Sequence, residues 1–355
     1  IRADQLEEQG EYFEAQTLAE WITNLQPRFE KVWSFQAWNM AYNICVATQV
    51  PAERWSWVSR GINLLRTQGI PLNPTAADLY FDLSWLFRHK IGRVGDKEHW
   101  YLKARLATDM QEVLGDLTRG KSKEQAIERF GKISMAPETL DELLDARPEV
   151  QQVLATLEEL AIAPDEELVR MLGRVLMANA SVDAAIEGKK ALPPGASFEL
   201  LQLLDRDPSF ATGLLEGLVP HLQRKILEDR YGMDVGAMSA VMERYGPLDW
   251  RHFLSHAIYW SEQGVEVARS TSNRRNANEL LLIRGRLILL MELMRQGRIE
   301  VDGISNRVDL LPDPRYCRVY EASLNDAYNM ISSEDGVTTV DNYGTVRETL
   351  TIGNS

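Results

Sequence analysis

Apolar residues recur at three- and four-residue spacing through most of the chain, the mark of helices with one buried face. Leu18, Trp21, Ile22 and Leu25 set the pattern. It continues helix after helix through residues 1–115, with breaks at Gln26-Pro27, Val50-Pro51 and Gly69 to Pro74. Proline stops or starts helices at such points, because it lacks an N–H and fixes its own backbone angle. A polar joint, Thr118 to Lys123, opens a different section. There the segments shorten, and helices are predicted at 122–130, 137–144, 147–161, 164–178 and 208–230. Pro-Glu, Arg-Pro-Glu and Asp-Pro signals divide them, and Gly188 to Ser197, with Pro193-Pro194-Gly195, reads as an exposed loop. Long helices return over 237–297. After Gly297 the period changes: Ile299 and Val301, then Ile304, Val308 and Leu310, alternate with polar residues around Asp302-Gly303 and predict a small hairpin. One more helix, roughly 316–332, precedes a tail rich in Thr, Val and Gly.

The fold class predicted is all-α with a small β element near the carboxyl end. Its expected divisions are 1–115, a helical insert or second domain at 116–236, renewed helical hairpins at 237–297, and a hairpin, helix and tail at 298–355. The greasiest stretch, Leu280 to Met294, is interrupted by Arg284, Gly285, Arg286 and Glu292. It falls short of the ~20 apolar residues a membrane helix needs.

An internal repeat runs through this helical pattern. Six, ten and thirteen residues after Pro27 stand Trp33, Ala37 and Met40. The same offsets from Pro74 give Tyr80, Ser84 and Phe87, and from Pro247 they give Phe253, Ala257 and Trp260. Aromatic, small and bulky residues thus follow a proline three times at fixed spacing. The aromatic and bulky positions share one helix face, and the small one lets two helices approach closely. A helix pair of this kind cannot bury its face alone, so pairs stack. Ahead of the first proline, Gly10 and Ala15 complete a signature that resembles the tetratricopeptide repeat. The resemblance is good over 3–115, partial over 237–297 and absent over 116–236. It implies a solenoid of stacked antiparallel helical hairpins. The opening stretch is also similar to a group of bacterial conserved proteins whose repeats follow an amino-terminal hydrophobic anchor. That similarity implies an anchor upstream of Ile1 and a membrane-associated chain, with its soluble part in the periplasm or the cytoplasm.

Charge narrows the partners. The 39 Lys and Arg stand against 52 Asp and Glu, a formal net charge of −13. Duplex binding needs a basic footprint to release counterions, and no dense Lys/Arg block is present, so nucleic acid is not expected. Two cysteines, Cys45 and Cys317, make no disulfide framework, and no Cys/His ligand spacing surrounds either.

Candidate chemistry is sparse. Gly115 to Ser122 matches the phosphate-loop pattern GxxxxGK[ST] at every defined position. Such loops work between a buried strand and a helix start, where backbone N–H groups cradle phosphates. Here the preceding residues, Ala107 to Leu114, form an amphipathic helix, and alternating strands and helices are missing. Gly115 as a helix stop and Ser122 as a helix start account for the match without a nucleotide. His252 and His256 have zinc-ligand spacing on a helix but no third ligand nearby, and read as structural. Acidic pairs such as Glu158-Glu159, Glu166-Glu167 and Asp205/Asp207 read as solvated faces rather than acid–base pairs.

A surface remains. In stacked hairpins of this type, residues one past the small position face the concave side: Trp38 and Trp85, with Tyr42, Arg88 and His89 a turn further on. Large aromatics beside a cation are what binding hot spots are made of. The competing account makes the two tryptophans core residues. The function expected is a non-enzymatic scaffold that docks a protein partner, or a structural subunit of an assembly with fixed neighbours. The alternative is a nucleotide-binding enzyme using 115–122. No catalytic residue, cofactor or metal is assigned.

Overall fold

The computed structural model of the chain describes residues 12–118, 122–179, 197–271, 277–302 and 307–332. The fold is all-α; among the described residues, strand structure is confined to one two-stranded sheet. The chain divides into two compact units. One takes its described residues from Ile1–His99, Phe253–Arg298 and Leu310–Ser355; the other takes them from Trp100–His252 and Ile299–Asp309.

The first unit begins with α1 (Tyr12–Leu25). The second helix, α2, runs through Glu30–Trp38, a π-helical stretch Asn39–Ile44 and a last turn Cys45–Ala47. Its successor α3 has the same composite build, with Pro51–Leu64, π-helical Leu65–Gly69 and Ile70–Leu72. Helix α4 joins Ala77–Trp85 to π-helical Leu86–Ile91. The proline offsets now acquire a local structure. The residues before α2 and α4, Phe29 and Ala76, have nearly the same backbone angles, φ −89° with ψ 87° and φ −87° with ψ 88°. The Trp33 indole N–H donates to the carbonyl of Pro27 at 2.8 Å, and the Tyr80 hydroxyl donates to that of Pro74 at 3.2 Å. Each aromatic therefore closes its turn back onto the proline that made it. Both π-helical stretches start twelve residues after their prolines. The small positions are also where helices meet: a Cβ on Gly61 would lie 2.8 Å from the Ala37 carbonyl oxygen, and Ser84 Oγ donates to the Ala257 carbonyl at 2.7 Å.

The break expected between Gly69 and Pro74 comes after Leu72, past Pro71. The helix passes Gly69 and ends at Leu72, because the π-helical widening just ahead of Pro71 absorbs its missing N–H. Pro220 lies likewise two residues past the end of a π-helical stretch, Gly213–Leu218.

The later helices of this unit are α13 (Phe253–Thr271), α14 (Ala277–Gln296) and α15 (Tyr316–Ser332). Ala77, Val265, Ala268, Ile283, Leu287 and Ala327 form a core cluster that joins α4 to all three.

The second unit contains α5 (His99–Leu114), α6 (Lys123–Ser134), α7 (Leu140–Ala146), α8 (Glu149–Glu159) and α9 (Glu166–Asn179). After them come α10 (Phe198–Arg206), the composite α11 (Pro208–Thr212 through Ile226–Arg230) and α12 (Val235–Tyr245). Helix α10 carried no expectation; Ser197, read as the end of a loop, caps it through the Leu200 N–H. Arg170 ties the unit together, pairing with Asp109 at 3.0 Å and Glu112 at 3.2 Å and donating to the Tyr231 hydroxyl at 3.0 Å. Strands β1 (Arg298–Asp302) and β2 (Arg307–Leu311) pair where the hairpin was predicted. Its expected turn at Gly303, the loop at 188–196 and the tail from 333 lie outside the described residues.

Candidate functional site

Helices α2 and α4 carry the site. Their matched caps and π-helical stretches present equivalent positions side by side, and all five residues singled out by the sequence come together on them. Trp38 stacks on Tyr42, with ring centroids 4.0 Å apart and planes at 24°. Trp85 stacks on His89 at 4.8 Å and 9°. The two pairs are joined by a 2.9 Å hydrogen bond between the Tyr42 hydroxyl and His89 Nδ1. Burial pushes the Tyr42 hydroxyl well above its ordinary pKa, so it keeps its proton. Burial also lowers the His89 pKa, helped by Arg93, Arg88 and Lys90, so the imidazole stays neutral. A neutral, layered aromatic wall results.

Arg88 is the cation beside these aromatics, and it is itself paired. Its guanidinium donates twice to Glu292 Oε1, at 3.0 and 2.7 Å, while standing 5.8 Å from the Trp85 ring centroid. It therefore braces the indole from α14 rather than offering an open charge. Beneath Tyr42, Lys90 lies 5.1 Å from the ring centroid and pairs with Asp96 at 2.6 Å. Asp96 also takes Arg54 at 3.0 Å, all three side chains being buried. Burial alone would raise the Asp96 pKa, but the bond from Lys90 and the nearby cations carry it below its usual value.

Beside this wall opens a pocket of about 360 Å³, lined chiefly by Phe35, Trp38, Leu65, Trp85 and Leu86. Trp38 is 46% exposed, whereas Trp33, its neighbour in the repeat, is 4% exposed. Two polar residues missed in the sequence sit in the pocket lining: Ser34 donates to Asp82 Oδ2. Burial raises the Asp82 carboxyl to about 6, against the Ser34 hydrogen bond and with help from the neighbouring Asp78 charge. Lys31 lines the same pocket, exposed at its edge. The arrangement has the makings of a binding surface: a rigid aromatic wall, an apolar hollow and one carboxylate.

The other candidates take structural places. Gly115 ends α5 with φ +67°, the left-handed turn that glycine adopts without strain. Ser122 caps α6 in a reciprocal pair with Gln125, while residues 119–121 lie outside the described residues. Asp116, within the motif, pairs with Arg251 at 3.0 Å. A helix, not a strand, leads into the segment. His252 and His256 are both buried, and His256 stacks on Phe87 at 4.8 Å. Among the described residues no group of three His, Cys, Asp or Glu could hold a metal ion. Glu166 binds Arg170 and Arg230, and Asp207 caps α11. No described helix is long and apolar enough to cross a membrane. Comparison with protein-family profiles, with curated proteins and with solved structures gives no match.

Proposed function

We propose that the protein is a non-enzymatic scaffold that docks a segment of a partner protein against Trp38 and Trp85, as a free-standing adaptor or as a subunit of a larger assembly. One observation carries the reading: an indole 46% exposed at a pocket whose other walls are built chiefly from Phe35, Leu65, Trp85 and Leu86. Leaving a tryptophan in water forgoes burial worth about 1.5–3 kcal/mol for a large apolar side chain. Aromatic anchors beside preformed pockets are where binding energy concentrates. The recurring cap geometry and π-helical stretch support reading α1–α4 as two stacked hairpins of tetratricopeptide type. With an anchor ahead of Ile1, as the resemblance implies, the groove would be offered at a membrane surface.

Selection from a random peptide library tests this without knowledge of the partner. Wild-type protein should enrich a consensus that Trp38→Ala and Trp85→Ala both lose while their folds persist. Failure of the wild type to enrich any consensus, or equal enrichment by the variants, overturns the proposal.

A further inference from the structure

The pocket beside Trp38 has a chemical bias that its apolar walls do not explain. Asp82 is a partly buried carboxylate in a lining built mainly from aromatic and aliphatic groups, and it accepts a hydrogen bond from the Ser34 hydroxyl. The cations nearby on α4 are committed elsewhere: Arg88 to Glu292 and Lys90 to Asp96. From α3 the pocket receives only Leu65. Asp78 adds a second negative charge felt at Asp82. Lys31 is the one opposing charge in the lining, and it is exposed and makes no ion pair among the described residues. Indole faces attract cations through their ring quadrupole, and the attraction grows as the site is desolvated. A planar guanidinium can stack on an indole and bond a carboxylate at the same time.

Building on the docking proposal above, we infer that the pocket between α2 and α4 receives an arginine side chain of the partner segment, stacked on the exposed indole of Trp38 and bonded to Asp82. The surplus negative charge of the chain, −13, steers such a basic segment toward it. A serine in place of a second acidic residue keeps the carboxylate positioned while leaving lone pairs for the guest. Lys31 then tunes affinity downward from the edge, a repulsive element that disfavours weakly anchored cations.

The probe is the capped tripeptide acetyl-Gly-Arg-Gly-amide, with its citrulline counterpart as a neutral isostere, followed by saturation-transfer nuclear magnetic resonance. Wild-type protein should bind the arginine probe at least about tenfold more tightly than the citrulline one. Asp82→Asn, which can still accept the Ser34 hydrogen bond, should erase that preference without lowering the melting temperature. Lys31→Gln should tighten the arginine probe and leave the citrulline probe unchanged. Unmutated protein supplies an independent arm. Asp82 loses its charge as pH falls through about 6, so arginine binding should weaken from pH 7.5 to pH 5. Equal binding of the two probes, or a preference that survives Asp82→Asn or the lower pH, overturns the inference. The library selection separates its fate from that of docking itself. A consensus lost in Trp38→Ala but free of basic residues sinks the arginine inference alone, whereas no consensus at all sinks both.

Discussion

Replacing three tryptophans by alanine distinguishes packing from docking, because the three differ in burial although two of them share one helix. Trp33 is 4% exposed and its indole N–H bonds the Pro27 carbonyl. Removing a buried Trp costs about 3–5 kcal/mol through lost transfer energy and the cavity left behind. The broken hydrogen bond adds little, since Asn73 Nδ2 also donates to that carbonyl at 2.9 Å and leaves it satisfied. Trp38 is 46% exposed, so roughly half of its burial energy is at stake, ~1 kcal/mol, plus ~0.5–1.5 kcal/mol for its stacking on Tyr42. Its total, about 1.5–2.5 kcal/mol, is roughly half that of Trp33. Trp85, half-buried and stacked on His89, should fall between them at ~2–3 kcal/mol. Urea melts followed by far-ultraviolet circular dichroism measure the three free energies. If Trp38→Ala costs as much as Trp33→Ala, the exposed indole is holding the fold together and the groove is not a docking surface.

Further outcomes follow from the same contacts. Gly61→Ala should destabilise by about 1–3 kcal/mol in the same urea melts, because its Cβ would meet the Ala37 carbonyl oxygen at 2.8 Å with helix backbone on both sides. Asp96→Asn leaves Arg54 and Lys90 buried without a counter-charge, and should cost about 3–5 kcal/mol by thermal or chemical melting. Asp82 has its folded-state pKa raised to about 6 from 3.8, so the folded chain holds the extra proton between those values. Its contribution is fully present below pH 4 and is lost as pH rises through 6, a change on the order of 1–2 kcal/mol that Asp82→Asn should flatten in melts across that range. Finally, ATP with magnesium should leave the melting temperature unchanged in the wild type and in Lys121→Ala alike, and a shift that the variant abolishes would revive a nucleotide site at 115–122.

Much of the helical architecture was legible because its signals are local. Ser122 with Gln125, and Thr139 with Glu142, are capping boxes that mark the starts of α6 and α7 directly in the sequence. The period-two run near residue 300 likewise announced β1 and β2. Less legible were places where two weak signals compete. Pro71 reads as a helix stop, yet a π-helical stretch can widen the preceding turn, and nothing in Leu65–Gly69 announces that choice. Helix α10 follows so closely on the loop signal Pro193-Pro194-Gly195 that the helical spacing of Phe198, Leu200, Leu201, Leu203 and Leu204 is masked by it.

The site was half legible for a related reason. A fixed offset from each proline brought Trp38, Tyr42, Trp85, Arg88 and His89 into view, since equivalent positions on paired helices come side by side. The same offsets also contain the pocket's polar pair, but only when the two copies are laid against each other. Seven and eight residues after Pro27 stand Ser34 and Phe35; after Pro74 stand Phe81 and Asp82. Polar and aromatic have exchanged places between the copies. A position that must be apolar in every repeat for packing cannot alternate in this way, so the exchange marks a surface where each helix complements its neighbour. Ser34 supplies the hydrogen bond that Asp82 needs, and Phe35 lines the hollow that Phe81 does not. Where a degenerate repeat departs from its own pattern in a compensated pair, the departure is a better guide to the binding surface than the residues that keep the pattern.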